Sequence, residues 1–336
     1  MSIIVTGGAG FIGSNFILDW LSESKEKVII VDSLTYSGNT KNLASENENN
    51  LIFIKSDICD TELITKVFKE HNPRAIINFA AETHVDRSID NAEDFIKTNI
   101  IGVFSLLKAS MKYWLDLTKD KRESFRFIHV STDEVYGELN SKEKPFTENN
   151  PYRPNNPYSA SKASSDHLVR SWNKTYGLPT LISNCSNNYG PYQHQEKLIP
   201  MCISNALNNE KIPIYGDGLQ IRDWLYVKDH CDAIKTILEK GKPGETYNIG
   251  GSHEKSNIEV VNYICEILDK KRPLKENKSY ADLITYTKDR PGHDKRYAIN
   301  ATKIYEQLGW KANKQFESGL YETVVWYLEN PKWLKN

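Results

Sequence analysis

Cysteine is scarce in this 336-residue chain: Cys59, Cys185, Cys202, Cys231 and Cys265 make five. The number is odd and no pair has CxxC spacing, so neither a disulfide framework nor a zinc knuckle is expected. No cluster of His, Cys and carboxylates has metal-ligand spacing either, and no metal is predicted. Long apolar runs are also missing. Val28–Val31 and Ala75–Ala81 fall far short of the roughly 20 residues that cross a bilayer. The first residues, Met1–Gly7, lack the charged start and apolar run of a signal peptide and read as a strand. A reducing cytoplasm is the expected compartment. No charge sign dominates: 43 Lys+Arg against 44 Asp+Glu give a net charge of −1. That excludes a broad binder of nucleic acid or membrane surface. It leaves room for a local anion pocket, and residues 269–296 carry nine basic to five acidic side chains. There is no internal repeat and no low-complexity tract, and Ala44–Asn50 reads as a solvated loop.

What is present is a regular alternation. Ile3–Thr6, Val28–Asp32, Leu51–Ser56, Ala75–Phe79, Phe125–Ser131 and Leu178–Asn184 are short, apolar on both faces and rich in β-branched residues. Stretches of helical pattern separate them, at Phe11–Ser24, Thr61–His71, Ala92–Thr118 and Ser159–Tyr176. This order predicts parallel strands with crossover helices, that is, an α/β fold with a Rossmann-type doubly wound sheet. The second half is broken by Pro, Gly and Asn, with helical patterns at Leu198–Asn208, Val227–Lys240, Ile258–Leu268 and Ala301–Leu308. The expected division is a dinucleotide-binding domain over residues 1–189, carrying the catalytic residues, and a smaller α/β C-terminal substrate lobe over 190–336. Some later segments are expected to return to the sheet.

The first strand runs into Thr6-Gly7-Gly8-Ala9-Gly10-Phe11-Ile12-Gly13, a GxxGxxG loop that opens a helix. Gly7 makes the tight turn. Gly10 lets a pyrophosphate approach the helix N-terminus, whose N–H groups and dipole favour negative charge. Gly13 lets the helix pack close to the sheet. Asp32 ends the second strand nineteen residues after Gly13, where a carboxylate accepts from ribose hydroxyls and repels a 2′-phosphate. NAD is therefore preferred over NADP. Ser33, Leu34 and Thr35 follow on the same loop. Asp57, with Ile58, follows the third strand. It either accepts from the adenine amino group or caps the helix starting near Thr61.

Tyr158-Ser159-Ala160-Ser161-Lys162 is a YxxxK pair, and positions i and i+4 share a helix face. A tyrosine with an ordinary pKa near ~10 is a poor base at neutral pH. A lysine ammonium one turn away favours the phenolate. Such a pair can take a proton from an alcohol while hydride leaves the same carbon, and Thr132 at a strand end can give the reacting oxygen a second hydrogen bond.

With the glycine loop, Asn78-Phe79-Ala80-Ala81, Ser131–Gly137 and Tyr158–Lys162, the chain resembles the extended short-chain dehydrogenase/reductase family of nucleotide-sugar enzymes over nearly its whole length. Asp133-Glu134 is similar to the pair of its 4,6-dehydratase branch. So are Ala81–Ser88, Ser186–Tyr192, Glu196–Pro200, Gln220–Trp224 and Asp289–Asp294, with Thr83 standing where Ser is usual. The resemblance implies dTDP-glucose as substrate and a lyase reaction: oxidation at C4, loss of the C5 proton to Glu134, protonation of the leaving C6 hydroxyl by Asp133, and return of hydride to C6. It adds Phe79, Ala80, Ala81, Thr83, Thr98 and Asn188 to the cofactor residues. It places substrate contacts at Thr83, Thr132, Asn187, Lys197, Leu198, Pro213, Ile214, Tyr215, Arg222, Asn257, Arg290 and His293. His84 is expected to orient Asp86 or Arg87, and His71 and His167 are expected to be structural. It also implies a homodimer through a helix bundle, and Ala92–Thr118 carries more apolar residues (Phe95, Ile96, Ile100, Ile101, Val103, Phe104, Leu106, Leu107) than one sheet-facing stripe requires. The alternatives are a 4-epimerase of the same fold, a dehydratase of UDP- or GDP-sugars, and a non-catalytic NAD-sensing protein.

Overall fold

The computed structural model describes residues 1–43, 50–275 and 278–334. Except for Asn50, the loop expected at Ala44–Asn50 lies outside them. The strands are β1 (Ser2–Thr6), β2 (Lys27–Asp32), β3 (Leu51–Lys55), β4 (Ala75–Asn78), β5 (Arg126–Thr132), β6 (Thr180–Cys185), β7 (Asn187–Tyr189), β8 (Ile212–Tyr215), β9 (Ile221–Tyr226), β10 (Thr246–Ile249), β11 (Glu254–Ser256) and β12 (Ile284–Thr287). Seven of them form a sheet in the order β10-β6-β5-β4-β1-β2-β3, and every neighbouring pair is parallel. This is the doubly wound order with one strand added. Its switch point lies between β1 and β4, where the two directions of winding leave a crevice at the strand C-termini.

The sheet is covered on both faces, which is why its strands read as continuous apolar runs. Alternate residues of β1 enter different cores. Ile3 and Val5 pack with Phe16, Ile17 and Trp20, while Ile4 packs with Ile29, Val31, Phe68 and Leu106. Helix Val227–Lys240, β10 and helix Thr302–Leu308 pack into the first of these cores. A separate core around Tyr189, Ile203, Ile214, Trp224, Ile264 and Phe316 holds the second lobe. Its strands form a three-stranded sheet, β11-β9-β7, and a two-stranded one, β12-β8.

Helices differ from expectation at four places, one of them the unexpected helix Val85–Asp90. The pattern at Ala92–Thr118 is a run of Ala92–Phe95, a π-helical stretch Ile96–Gly102 and Val103–Leu115, followed by a short helix Lys119–Ser124. The π stretch turns Asn99 inward, where its amide holds both Glu82 backbone groups and the Ser161 hydroxyl. The helix predicted from Ser159 begins at Pro157, because Asn156 and Ser159 form a capping box with proline in the first turn. Helix Phe316–Glu329 was not expected. Gly319 interrupts its pattern, yet a Cβ there would lie 2.3 Å from the Tyr189 hydroxyl.

Candidate active site

The crevice at the switch point is a cavity of about 720 Å³. Gly7, at φ +68°, turns the chain out of β1, and a Cβ on it would lie 2.6 Å from the Ala80 nitrogen beyond β4. Gly13 is equally constrained, 2.3 Å from the Gly7 carbonyl. Gly10 leaves the N-terminus of helix Phe11–Glu23 without a side-chain cap, so its first N–H groups face the cavity wall unobstructed. Asp32 is buried at the end of β2. Its Oδ2 accepts from the Ala9 N–H at 2.9 Å and its Oδ1 from the Leu34 N–H at 2.8 Å. Burial raises its pKa, and these two bonds oppose the rise. Each oxygen keeps a lone pair for a ligand. A flexed loop that admits only glycine, an uncapped helix start and an acid at the second strand fit a dinucleotide.

Of the residues read from sequence, the cavity wall holds Gly7, Gly10, Phe11, Ile12, Gly13, Asp32, Ser33, Thr35, Asp57, Ile58, Phe79, Ala80, Ala81, Thr83 and Thr98. It also holds Thr132, Asp133, Glu134, Tyr158, Lys162, Asn187, Asn188 and Lys197. Asp57 does not cap the helix starting at Thr61, because that cap is Asp60. Asp57 instead accepts from the Cys59 N–H at 2.9 Å. Leu34, at φ +54°, is not among the wall residues and gives its N–H to Asp32. Leu198, Pro213, Ile214, Tyr215, Arg222, Asn257, Arg290 and His293 lie beyond it, in the second lobe. Asn257 opens helix Asn257–Lys271 and gives its N–H to Gln220.

Arg222 and Arg290 still reach the site through their fields. Burial raises the Glu134 pKa, and Arg222, Arg290 and Lys197 pull it back. Arg222 is 5% exposed, lies 4.3 Å from the centre of the Tyr297 ring and donates to the Asp294 carbonyl. Arg290 pairs with Asp86 at 3.3 Å, and the Tyr215 hydroxyl donates to the other Asp86 oxygen at 3.2 Å. His84 lies 3.7 Å from Glu196, the carboxylate that also pairs with Arg87. His167 packs on the Tyr152 ring.

Thr132 caps the tight turn Asp133–Tyr136 by accepting from the Glu134 N–H, which fixes the two carboxyls side by side. Asp133 is 2% exposed, and its Oδ2 has no hydrogen-bond partner among the described residues. Burial, then Glu134 and Asp223, hold its pKa well above the ordinary value. The two neighbours differ in degree: Asp133 is held well above its ordinary value, while more cations oppose the rise at Glu134. Burial raises both carboxyls, and Arg222 opposes the rise at each, joined at Glu134 by Arg290 and Lys197.

Tyr158 and Lys162 share the inward face of helix Pro157–Tyr176. The Lys162 ammonium donates to the Val130 carbonyl at 2.7 Å. Burial, then Glu134 and Cys185, hold the Tyr158 phenol well above its ordinary pKa, so desolvation here outweighs the lowering expected from Lys162. Thr132 hydrogen-bonds the phenol and works in the lowering direction.

Sequence reasoning missed Tyr36, Glu82, Arg87, Gln193 and His194 on the wall, and Asp166 behind it. Glu82 and Arg87 lay inside the matched stretch Ala81–Ser88, and Asp166 had a signal of its own, a third polar residue at the i, i+4, i+8 spacing begun by Tyr158 and Lys162.

Fold and site together define an NAD-type short-chain dehydrogenase/reductase scaffold. The GDP-mannose 4,6 dehydratase family model matches residues 4–323. The chain is 54% identical over 345 residues to dTDP-glucose 4,6-dehydratase 1 of Escherichia coli K12, covering all of this chain and 95% of that protein. A crystal structure of dTDP-glucose 4,6-dehydratase from Bacillus anthracis in complex with NAD superposes with a TM-score of 0.87 at 47% identity, covering 100% of both chains. UDP-glucose 4-epimerase from Thermotoga maritima superposes with a TM-score of 0.85 at 30% identity, over 98% of this chain and 100% of that one. The chain belongs to the dTDP-glucose 4,6-dehydratase family.

Proposed function

We infer that this chain is an NAD-dependent hydro-lyase that converts dTDP-glucose to dTDP-4-keto-6-deoxyglucose and water. The epimerase shares the fold, so the fold does not choose between the two reactions. The observation that carries the reading is the Asp133-Glu134 pair, with Asp133 held well above its ordinary value and Arg222, Arg290 and Lys197 opposing the rise at Glu134. A 4-epimerase needs neither.

Gly7, Gly10, Gly13 and Asp32 would hold NAD, which supplies the hydride acceptor and donor. As the phenolate, which the Thr132 hydrogen bond favours, and with Lys162 one turn along, Tyr158 takes the proton of the C4 hydroxyl. Glu134 removes the C5 proton, made acidic by the new ketone. Asp133 donates to the C6 hydroxyl, which leaves as water. Proton transfers of this kind contribute about 10²–10⁴-fold each. Residues 1–189 serve cofactor and chemistry, while residues 190–336 mainly serve the nucleotide sugar, through Arg222, Arg290 and Lys197 as cations for its diphosphate.

We also read the protein as a homodimer. Ile96, Ile101, Phe104, Leu115 and Tyr176 are exposed on the two helical runs, Ala92–Leu115 and Pro157–Tyr176, and Phe104 meets Trp172 edge-on between them. No helix among the described residues is long and apolar enough to cross a membrane. All five cysteines are unpaired, which suits a reducing cytoplasm.

The test is product analysis by NMR with dTDP-, UDP- and GDP-glucose in parallel. The 4-keto-6-deoxy sugar is expected from dTDP-glucose. Recovery of dTDP-galactose alone would overturn the dehydratase reading.

A further inference from the structure

A buried polar network adjoins Lys162, with Ser131 and Cys185 on the cavity wall, and the mechanism above does not use it. Its centre is Asp166, 1% exposed on the side-chain scale and one turn beyond Lys162 on the same helix. The Ser131 hydroxyl of β5 donates to its Oδ2 at 2.9 Å, and the Tyr152 hydroxyl also hydrogen-bonds it. His129 of β5 brings Nε2 within 3.5 Å of Oδ1. The Asn78 amide meets His129 Nδ1 at 3.0 Å, which leaves Nε2 as the protonated nitrogen. Burial, then Lys162, hold the His129 pKa well below the ordinary value, so the ring is neutral. Cys185 of β6 is the other titratable group acting on Lys162, and burial, then Asp133, push its thiol up to about 12. Tyr136 stands behind Asp166 with its phenol held high, first by burial. Asp166 and Lys162 lie one turn apart and bond to adjacent residues of β5, Lys162 to the Val130 carbonyl and Asp166 to the Ser131 hydroxyl, so the carboxylate acts on the ammonium without a direct ion pair.

We propose that Asp166 is a positioning residue for the reaction: from one turn along the helix its carboxylate keeps Lys162 protonated, while the Val130 carbonyl holds the ammonium in place. A buried ammonium without a counter-charge gives up its proton. Burial pulls Lys162 down to about 8, and Asp166 is the first of the groups that oppose it. Burial likewise pushes Asp166 up to about 7, and Lys162, Ser131 and Tyr152 oppose that rise, in that order. Each group needs the other in its charged form. The proposal rests on the reading of Tyr158 and Lys162 as the C4 acid–base pair.

The test is the pH profile of the first hydride transfer, followed by nicotinamide absorbance in single turnovers of the holoenzyme with dTDP-glucose. Asp166→Asn removes the opposing charge, so the Lys162 pKa falls and the alkaline limb moves to lower pH. The rate near pH 8 drops about tenfold or more. Asp166→Glu restores part of the rate and returns the limb. Tyr152→Phe removes a donor from Asp166, so the Asp166 pKa rises and the acid limb moves to higher pH. Two variants moving opposite limbs inward is the supporting result. An unmoved Asp166→Asn profile, or a loss equal at every pH, overturns the proposal. If Asp166→Asn does not fold, Tyr152→Phe decides: an unmoved acid limb overturns it. Failure of the wild-type enzyme to reduce bound NAD with dTDP-glucose would instead overturn the C4 reading beneath it.

Discussion

The Arg87 guanidinium lies 3.8 Å from the centre of the Tyr36 ring and pairs at its far end with Glu196. Tyr36 follows the β2 loop, Arg87 lies in helix Val85–Asp90, and Glu196 belongs to the second half of the chain, so one side chain ties three segments together at the cavity. His84 and His194 approach the same Glu196 carboxylate at 3.7 and 3.9 Å. An enzyme that must return hydride to its own intermediate cannot release the cofactor midway, and this contact spans the cavity wall.

Arg87→Gln is therefore expected to speed cofactor loss about tenfold. The cation–π contact and the ion pair are each worth roughly 0.5–1 kcal/mol at a half-exposed site. The check is the fraction of NAD retained after dilution and gel filtration, timed against wild type. Equal retention would mean that the contact has no part in holding the cofactor.

Glu134→Gln separates binding from elimination. The side chain keeps its shape and the cavity its walls, so NAD should remain bound and C4 oxidation should survive. Elimination should fall by about 10²-fold or more, as for a lost general base. Exchange of the C5 hydrogen with deuterated solvent reads the step directly. Full dehydration in this variant would remove Glu134 from the role of C5 base.

Gly7→Ala and Gly309→Ala form a matched pair. Both glycines have positive φ, +68° and +78°. A Cβ on Gly7 meets the backbone of Phe79 and Ala80, whereas one on Gly309 meets nothing within 4 Å. Gly309→Ala carries only the left-handed penalty, about 1 kcal/mol, and should retain its activity. Gly7→Ala adds a clash with β4 at the cofactor turn, so it should lose NAD and unfold at a lower temperature than the Gly309 variant. Calorimetry and bound-NAD content together decide it.

The pattern of what was legible has a physical cause. The six strands of the first half could be read because both faces of a parallel sheet are buried, so each strand announces itself without reference to any partner. The glycine loop and the YxxxK pair could be read because their chemistry is local in sequence. Tyr36, Arg87 and Glu196 could not, because their meaning arises only where three distant segments converge. The basic excess over residues 269–296 also misled in part. Arg290 faces Asp86 and the site, but Arg296 is held by Glu254 at 2.6 Å and is a structural charge. Asn99 was hidden for another reason. A π-helical stretch changes which side chains face inward, and a 3.6-residue period cannot anticipate it.

Asp133→Asn carries a prediction in which stability and activity move in opposite directions. Burial, then Glu134 and Asp223, hold the Asp133 pKa well above its ordinary 3.8. Between that ordinary value and the raised one, the folded chain keeps a proton that the unfolded chain gives up. Stability therefore falls as pH rises through this window, and the full penalty applies above it. An amide has no such proton to lose. Asp133→Asn should thus melt a few degrees higher than wild type near pH 7.5, the shift that ~1–2 kcal/mol produces in a chain of this length. The gain should shrink toward pH 4, where both states of the wild type are protonated. Over the same range the variant should lose water elimination by about 10²-fold or more, because no proton reaches the C6 hydroxyl. Calorimetry at the two pH values, paired with the product assay, tests both halves. A lower melting temperature near pH 7.5 would mean that the Asp133 carboxyl is not held in its protonated form, and the acid role would fall with it.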